Sequence, residues 1–335
     1  MTGQDSRSYD VCGVGHALVD VQYAIDPDSL RRLGVAKGLM TLIDAERQRQ
    51  LSRSIAGRPM ACCSGGSAAN TMIGVTALGG RAFLTCVVGD DEWGDVFQQD
   101  LLAAGVGYSA ANRLPGVTGQ CTVFITPDAE RTMSTCLGVG SRIAPEHLDA
   151  TIIRASRLVY LEGYLVTSDN GMATCREAVR LAREHGTSVA LTLSDPSVVR
   201  LARGRFLELL HAGLDLLFCN EHEAMELTGR DDRCAAGQHL SEMAPIACMT
   251  CGAEGALLYA HGQRTAIAGE RLEPVDTTGA GDAFAAGVIY GLTHGNTLEQ
   301  AGALGARVAA RVVARYGCRL DRSLAGEIRA NLHVR

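Results

Sequence analysis

The sequence predicts an α/β fold in which a mostly parallel central sheet carries helices on both faces and a small β lid sits above it. Three observations predict this. From about residue 60 onward, short apolar runs alternate with amphipathic stretches, the rhythm of βαβ units. The runs are apolar throughout, as strands buried on both faces are. Two regions, 16–60 and 106–137, break the rhythm. The second contains QCTVFITPDAERTMSTCL, which alternates apolar and polar residues around a Pro-Asp turn. Such alternation suits a sheet with one wet face, and both regions are expected to form the lid.

Strands are expected at 9–15, 82–89, 157–163, 188–194, 215–220 and 245–252. Helices are expected at 68–78, 91–105 and 170–186, the last with Met172, Cys175, Val179 and Ala182 on one face. TLIDAERQRQLSRSIAG is expected to form a charged helix, and a further helix runs from Ala283 through Tyr290. No low-complexity linker or repeat interrupts the chain, so residues 1–335 are expected to form one domain.

Composition narrows the function. The 335 residues are 47% hydrophobic and 20% charged, with a formal net charge of −6 and no basic run to neutralise phosphates, which argues against nucleic acid. No stretch approaches the ~20 apolar residues that span a bilayer. The polar start, MTGQDSRSYD, has no apolar core of a signal peptide. Most of the twelve cysteines (Cys12, Cys86, Cys121, Cys219 and Cys248 among them) sit in apolar runs, where cysteine packs as a small hydrophobe. Cys248 with Cys251, and Cys219 with His222, have the spacing of half a zinc site, but no second pair completes either. A reducing, cytoplasmic setting is expected. Lys37 is the sole lysine among the 31 lysines and arginines, and Gly38 follows it, so a Walker A loop is excluded. Any phosphoryl transfer needs another phosphate cradle.

The segment VDTTGAGDAFAAGVIYG (275–291) offers one. Gly279, Ala280 and Gly281 precede a helix, and backbone N–H groups converging at a helix start can hold an anion. Asp282 lies at that junction. A helix-start aspartate usually caps free N–H groups. Beside an anion hole, it can instead accept the proton of an attacking hydroxyl.

DTTGAGDAF resembles the C-terminal signature of the ribokinase-like (PfkB) kinases, in which the aspartate of GAGD is the catalytic base. CSGGSAANTMIGVTALGG (63–80) with VVGDDEWG resembles the N-terminal signature of that superfamily. The resemblance implies ATP with Mg2+ as the phosphoryl donor and a nucleoside or sugar as acceptor. It implies acceptor-binding roles for His16, Asp20, Gly65, Gly66, Asn70 and Arg131. On the nucleotide side it implies roles for Asn220, Glu223, Thr250, Gly252 and Gly255, with Glu223 acting on magnesium through water. It leaves open a potassium site at the loop around Asp276 and a homodimer through the lids.

Of the branches, the bacterial adenosine-kinase-like one is most similar, through RLGVAKGLMTLID, YLEGYLVT and LGARVAARVVARYG. Adenosine is the first expectation, then a free sugar such as ribose or fructose. His16 departs from the branch by standing where adenosine kinases carry asparagine. Tyr23, Phe124 and Tyr164 are the aromatics expected near a bound base. A non-catalytic ligand-binding relative is the alternative of another class, disfavoured by intact Asp282 and its glycines. A dehydrogenase is set aside because Leu18 breaks the glycine fingerprint begun by Gly13 and Gly15.

Overall fold

Strands pair here as the apolar runs require. The computed structural model describes residues 7–330 apart from 39, 56 and 129. Among these, nine strands form the larger sheet. From one edge to the other they are Gln263–Ala268, Gly255–Ala260, Ile246–Thr250, Leu216–Asn220, Ser188–Thr192, Ser156–Leu161, Tyr9–Val14, Ala82–Thr85 and Gly107–Tyr108. Neighbours are parallel except where the hairpin 255–268 adds two antiparallel strands at one edge. That hairpin was not among the expected strands. The expected strand 82–89 ends at Thr85, and Val88–Gly89 pairs separately with Arg113–Leu114.

Tyr9–Val14 lies between Ala82–Thr85 and Ser156–Leu161, so the chain leaves it towards one side and later returns on the other. This reversal opens a crevice at the carboxyl ends of the parallel strands, the usual ligand position in such sheets.

A smaller sheet of five strands runs Met40–Leu42, Arg131–Cys136, Gly119–Ile125, Leu18–Ala24, Ala61–Gly65. Its strands come mainly from 16–60 and 106–137, but Ala61–Gly65 extends beyond the first region and Gly107–Tyr108 belongs to the larger sheet. Pairing aligns Asp20 with Cys63 on one neighbour and Cys121 on the other. Alternation then puts Asp20, Val123, Met133 and Met40 on one face. Tyr23 and Phe124, which pair with each other, point to the opposite face, where Phe124 is fully buried. Their expected place beside a ligand of Asp20 is therefore corrected: an odd spacing along a strand reverses the side.

The charged helix forms over Ala45–Ser54, capped by Asp44, and its Gln48 bonds Gln120 at 2.9 Å and Thr122 at 3.1 Å on that covered face. The cysteines of the described residues are all free, and those of the CxxC, Cys248 and Cys251, are buried. No helix of the described residues is long and apolar enough to cross a membrane.

The helix Ala280–Thr293 exceeds its expected length at both ends. It packs against Ser67–Ala77 on one side and Leu298–Val313 on the other. Small residues let the backbones meet. A Cβ at Gly287 would lie 2.6 Å from Gly305 Cα and 2.8 Å from its nitrogen. Gly287→Ala should thus lower the free energy of unfolding by about 1–3 kcal/mol, the usual cost of overpacking, despite the better helix propensity of alanine. Denaturant titration checks this, and an unchanged midpoint would show that the helices can part without cost.

Candidate active site

The crevice collects chemistry from several strand ends. His16 follows Tyr9–Val14, Glu162 follows Ser156–Leu161, and Asn220 and Thr250 end adjacent strands as register partners.

Asp282 occupies the first turn of Ala280–Thr293, reached through Gly279 in the left-handed region at φ +77°. The helix has no side-chain cap, so Asp282 is not held by a capping role. Ala280 N–H donates to the Thr277 carbonyl at 3.2 Å, which leaves Gly281 and Asp282 as the freer first-turn donors. Open space surrounds a Cβ position at Gly281. The carboxylate itself is gripped from Ser67–Ala77: Ser67 Oγ donates to Oδ1 at 2.6 Å and Asn70 Nδ2 to Oδ2 at 3.3 Å. Gly66, at φ +98°, starts that helix because a Cβ would fall 2.5 Å from the His16 carbonyl oxygen. Burial raises the Asp282 pKa from its ordinary 3.8 to about 7, the bonds from Ser67 and Asn70 pull it down, and the charges of Glu162 and Asp20 push it up.

Asp20 approaches from the smaller sheet, close enough to Gly65 that a Cβ there would be 2.5 Å from its carboxylate. Burial raises its pKa to about 6 against the opposing pull of Arg319 and Arg131. Cys318 Sγ touches Asn70 Oδ1 at 3.4 Å and approaches Asp20 Oδ2 at 4.0 Å, joining the two expected acceptor contacts. Arg131 pairs with Asp276 at 2.8 Å, both side chains nearly buried. Its Nε and Nη2 are buried without hydrogen-bond partners, an expensive arrangement that an anion would relieve. Arg319 holds the Ser64 carbonyl and hydroxyl and meets Asp100 at 2.7 Å.

On the other side of the crevice, Asn220 and Glu223 form a capping box. Glu223 Oε1 accepts from Asn220 Nδ2 at 2.7 Å, Oε2 from Asn220 N at 2.9 Å, and Glu223 N donates back at 2.8 Å. Burial raises the Glu223 pKa to about 7. Thr250 Oγ1 donates to the Cys219 carbonyl at 3.4 Å. Gly252 has open space above it, whereas a Cβ at Gly255 would strike the Ile267 carbonyl oxygen at 2.1 Å, so Gly255 serves the hairpin's backbone.

The profile of the family described as pfkB family carbohydrate kinase matches residues 35–324. The chain belongs to that family. The crystal structure of adenosine kinase from Sinorhizobium meliloti is 38% identical, covers 96% of this chain and 99% of its own, and superposes with a TM-score of 0.88. That of a probable sugar kinase from Rhizobium etli is 35% identical, with 97% and 99% coverage and the same TM-score. Among curated relatives, the ATP-dependent ribose-1-phosphate kinase of Halopiger xanaduensis is 33% identical over 91% of this chain and 93% of its own. This pfkB kinase is accordingly a phosphotransferase with an alcohol acceptor, a nucleoside or a sugar. Kinases of this family use ATP with Mg2+.

The structure brings together Asp282, Asn70, Asp20, Gly65, Gly66 and His16. It adds Ser67, Glu162, Arg319 and Cys318, to which the sequence reading gave no role. Ser67 was visible as the serine of GGSAAN, but only tertiary packing turns it towards Asp282. Because Asp282 stays protonated up to about pH 7 in the free protein, a base at this position is present above that pH and lost below it. kcat/KM should fall about tenfold per pH unit below pH 7. A profile flat down to pH 5 would show that no such group governs the reaction.

Proposed function

We propose that this kinase phosphorylates the hydroxymethyl group of a nucleoside, adenosine first, with Asp282 as general base. The observation that carries the base is its grip by Ser67 and Asn70 at the start of Ala280–Thr293, beside the outward N–H groups of Gly281 and Asp282. The acceptor hydroxyl gives its proton to Asp282 as its oxygen bonds to the γ-phosphorus. The bond from that phosphorus to the β–γ bridging oxygen breaks, and ADP leaves. The first-turn donors and Arg131, with its unpaired Nε and Nη2, stabilise the charge of the transferring group. Asp20 and Asn70 clamp acceptor hydroxyls, and Arg131–Asp276 ties the smaller sheet, acting as a lid, to the loop before the anion hole.

Among the described residues no three His, Cys, Asp or Glu side chains come together as a metal cage. That fits Mg2+ carried on the nucleotide phosphates with water in much of its shell. Glu223, though bonded to Asn220, keeps lone pairs for such a water. The ion would draw charge from the phosphates.

Two observations support a nucleoside. The Sinorhizobium adenosine kinase matches along nearly the whole chain, and Met40, Val123 and Met133 give the Asp20 face of the lid an apolar patch for a flat base. A second reading, a pentose that is free or phosphorylated, is favoured by the Halopiger relative and by the unpaired Arg131 donors, which suit an anionic acceptor.

ADP release from Mg-ATP with adenosine, inosine, ribose, fructose and ribose 1-phosphate separates these readings. Adenosine should exceed ribose in kcat/KM by about tenfold or more, a gap of about 1.4 kcal/mol. A preference for either ribose compound overturns the nucleoside reading. Asp282→Asn should lower kcat by about 10²–10⁴-fold while Mg-ATP still binds, and a variant keeping more than about a tenth of the activity dismisses the base. Asp20→Ala should weaken the acceptor by about 1–3 kcal/mol and leave Mg-ATP binding nearly unchanged. Calorimetric titration of both ligands reads this, and equal losses would mark a folding defect.

A further inference from the structure

At the point where the sheet reverses, a second carboxylate lies behind the acceptor contacts. Leu161 pairs with Val14, and Glu162 N–H continues the pairing by donating to the Val14 carbonyl at 3.0 Å. Glu162 and His16 thus leave neighbouring strands side by side, with side chains only 2% and 4% exposed. Glu162 Oε1 lies 2.8 Å from His16 Nδ1 and accepts from His16 N at 3.3 Å. Its Oε2 accepts from Ala68 N at 3.0 Å. A Cβ at Gly15 would sit 2.5 Å from Oε2, so glycine there makes room for the carboxylate. The next residue, Gly163, is fastened by its N–H to Ser194 Oγ at 3.0 Å, and Ser194 holds the costly left-handed conformation at φ +71°. Glu162 has little freedom to turn away.

We propose that Glu162 is a positioning residue that holds the His16 ring with Nδ1–H turned to the carboxylate, so that Nε2 meets the phosphoryl acceptor as a hydrogen-bond acceptor. The inference rests on the kinase reading of the crevice and deepens it by naming the chemistry recognised at His16: a hydroxyl or amino group that donates. A carboxylate already taking two backbone N–H groups is an acceptor, so the proton in the short contact is the imidazole's. In neutral imidazole, a donor at Nδ1 makes Nε2 the lone-pair nitrogen. Nε2 has no partner among the hydrogen bonds of the described residues, and it is the ring's remaining polar atom. The pair also touches the catalytic neighbourhood. Ala68 follows Ser67, which grips Asp282, and Gly66 lies against the His16 carbonyl. An asparagine in place of His16 could offer either its oxygen or its nitrogen. A histidine fixed by Glu162 offers one kind of atom, and therefore discriminates.

The tautomer can be read directly. In protein labelled with 15N-histidine, at pH 8 and with His16 assigned through His16→Asn, multiple-bond 1H–15N spectra should show protonated Nδ1 and unprotonated Nε2. Adding the acceptor with the highest kcat/KM in the panel above should move the Nε2 resonance, and Mg-ATP alone should not. Protonated Nε2, or no shift with acceptor, overturns the proposal. Glu162→Gln supplies the second reading, because its amide can donate to Nδ1 and reverse the tautomer. Its acceptor KM should rise about tenfold, the loss of one hydrogen bond, with the KM for Mg-ATP within about twofold. Equal rises in both constants would mean that Glu162 only braces the fold, and would overturn the specificity role. The first measurement needs no turnover, so a chain that phosphorylated none of the panel would contradict the kinase reading while the tautomer was still read.

Discussion

A carboxylate held between two helix starts is the constraint on which this site depends. Ser67–Ala77 and Ala280–Thr293 lie against each other, close enough that a Cβ at Gly74 would be 2.6 Å from Ala286 Cβ. Their first turns therefore face one another. Asp282 supplies the charge from one helix, and Ser67 and Asn70 supply its donors from the other. Burial opposes the charge, the donors restore it, and the carboxyl settles near neutrality. A group at that pKa is suited to taking a proton in one step and releasing it in another.

The same contact explains the glycines. Gly66 must pass beneath the His16 carbonyl to start its helix, and Gly279 must turn left-handed to aim Asp282 inward. The glycines at the far side of the helix, Gly287 and Gly305, let the backbones of Ala280–Thr293 and Leu298–Val313 touch. Small residues here set the distance between layers, and through it the geometry of the crevice.

Charge in the crevice is balanced locally. Asp20 feels the pull of Arg319 and Arg131, and Asp276 pairs with Arg131, while Asp282 and Glu162 are held by hydrogen bonds from Ser67, Asn70, His16 and Ala68. Arg131 spans from the smaller sheet to the loop before Ala280–Thr293, so that sheet is tied to this helix start through a nearly buried ion pair. Such a pair is costly to assemble and specific in register, which suits a junction whose position matters more than its strength.

Much was legible from sequence because its causes are local. The apolar runs became parallel strands, the charged helix formed, and GAGD and GGSAAN marked the two helix starts, since burial pattern and glycine placement act over a few residues. The hairpin 255–268 escaped because Gly255, where it starts, reads with Thr250 and Gly252 as lining a nucleotide site. Which way side chains point across the smaller sheet depended on strand register, which set Tyr23 and Phe124 away from Asp20. Glu162 illustrates the rest. Its residue type was plain in YLEGYLVT, but its partners His16 and Ala68 lie 146 and 94 residues away. Sequence alone determined the fold class and the family signatures, because local patterning and glycine chemistry are written in consecutive residues. Only tertiary structure decided which carboxylates share a crevice and which donors they hold, because those contacts arise when distant strands and helices are packed together.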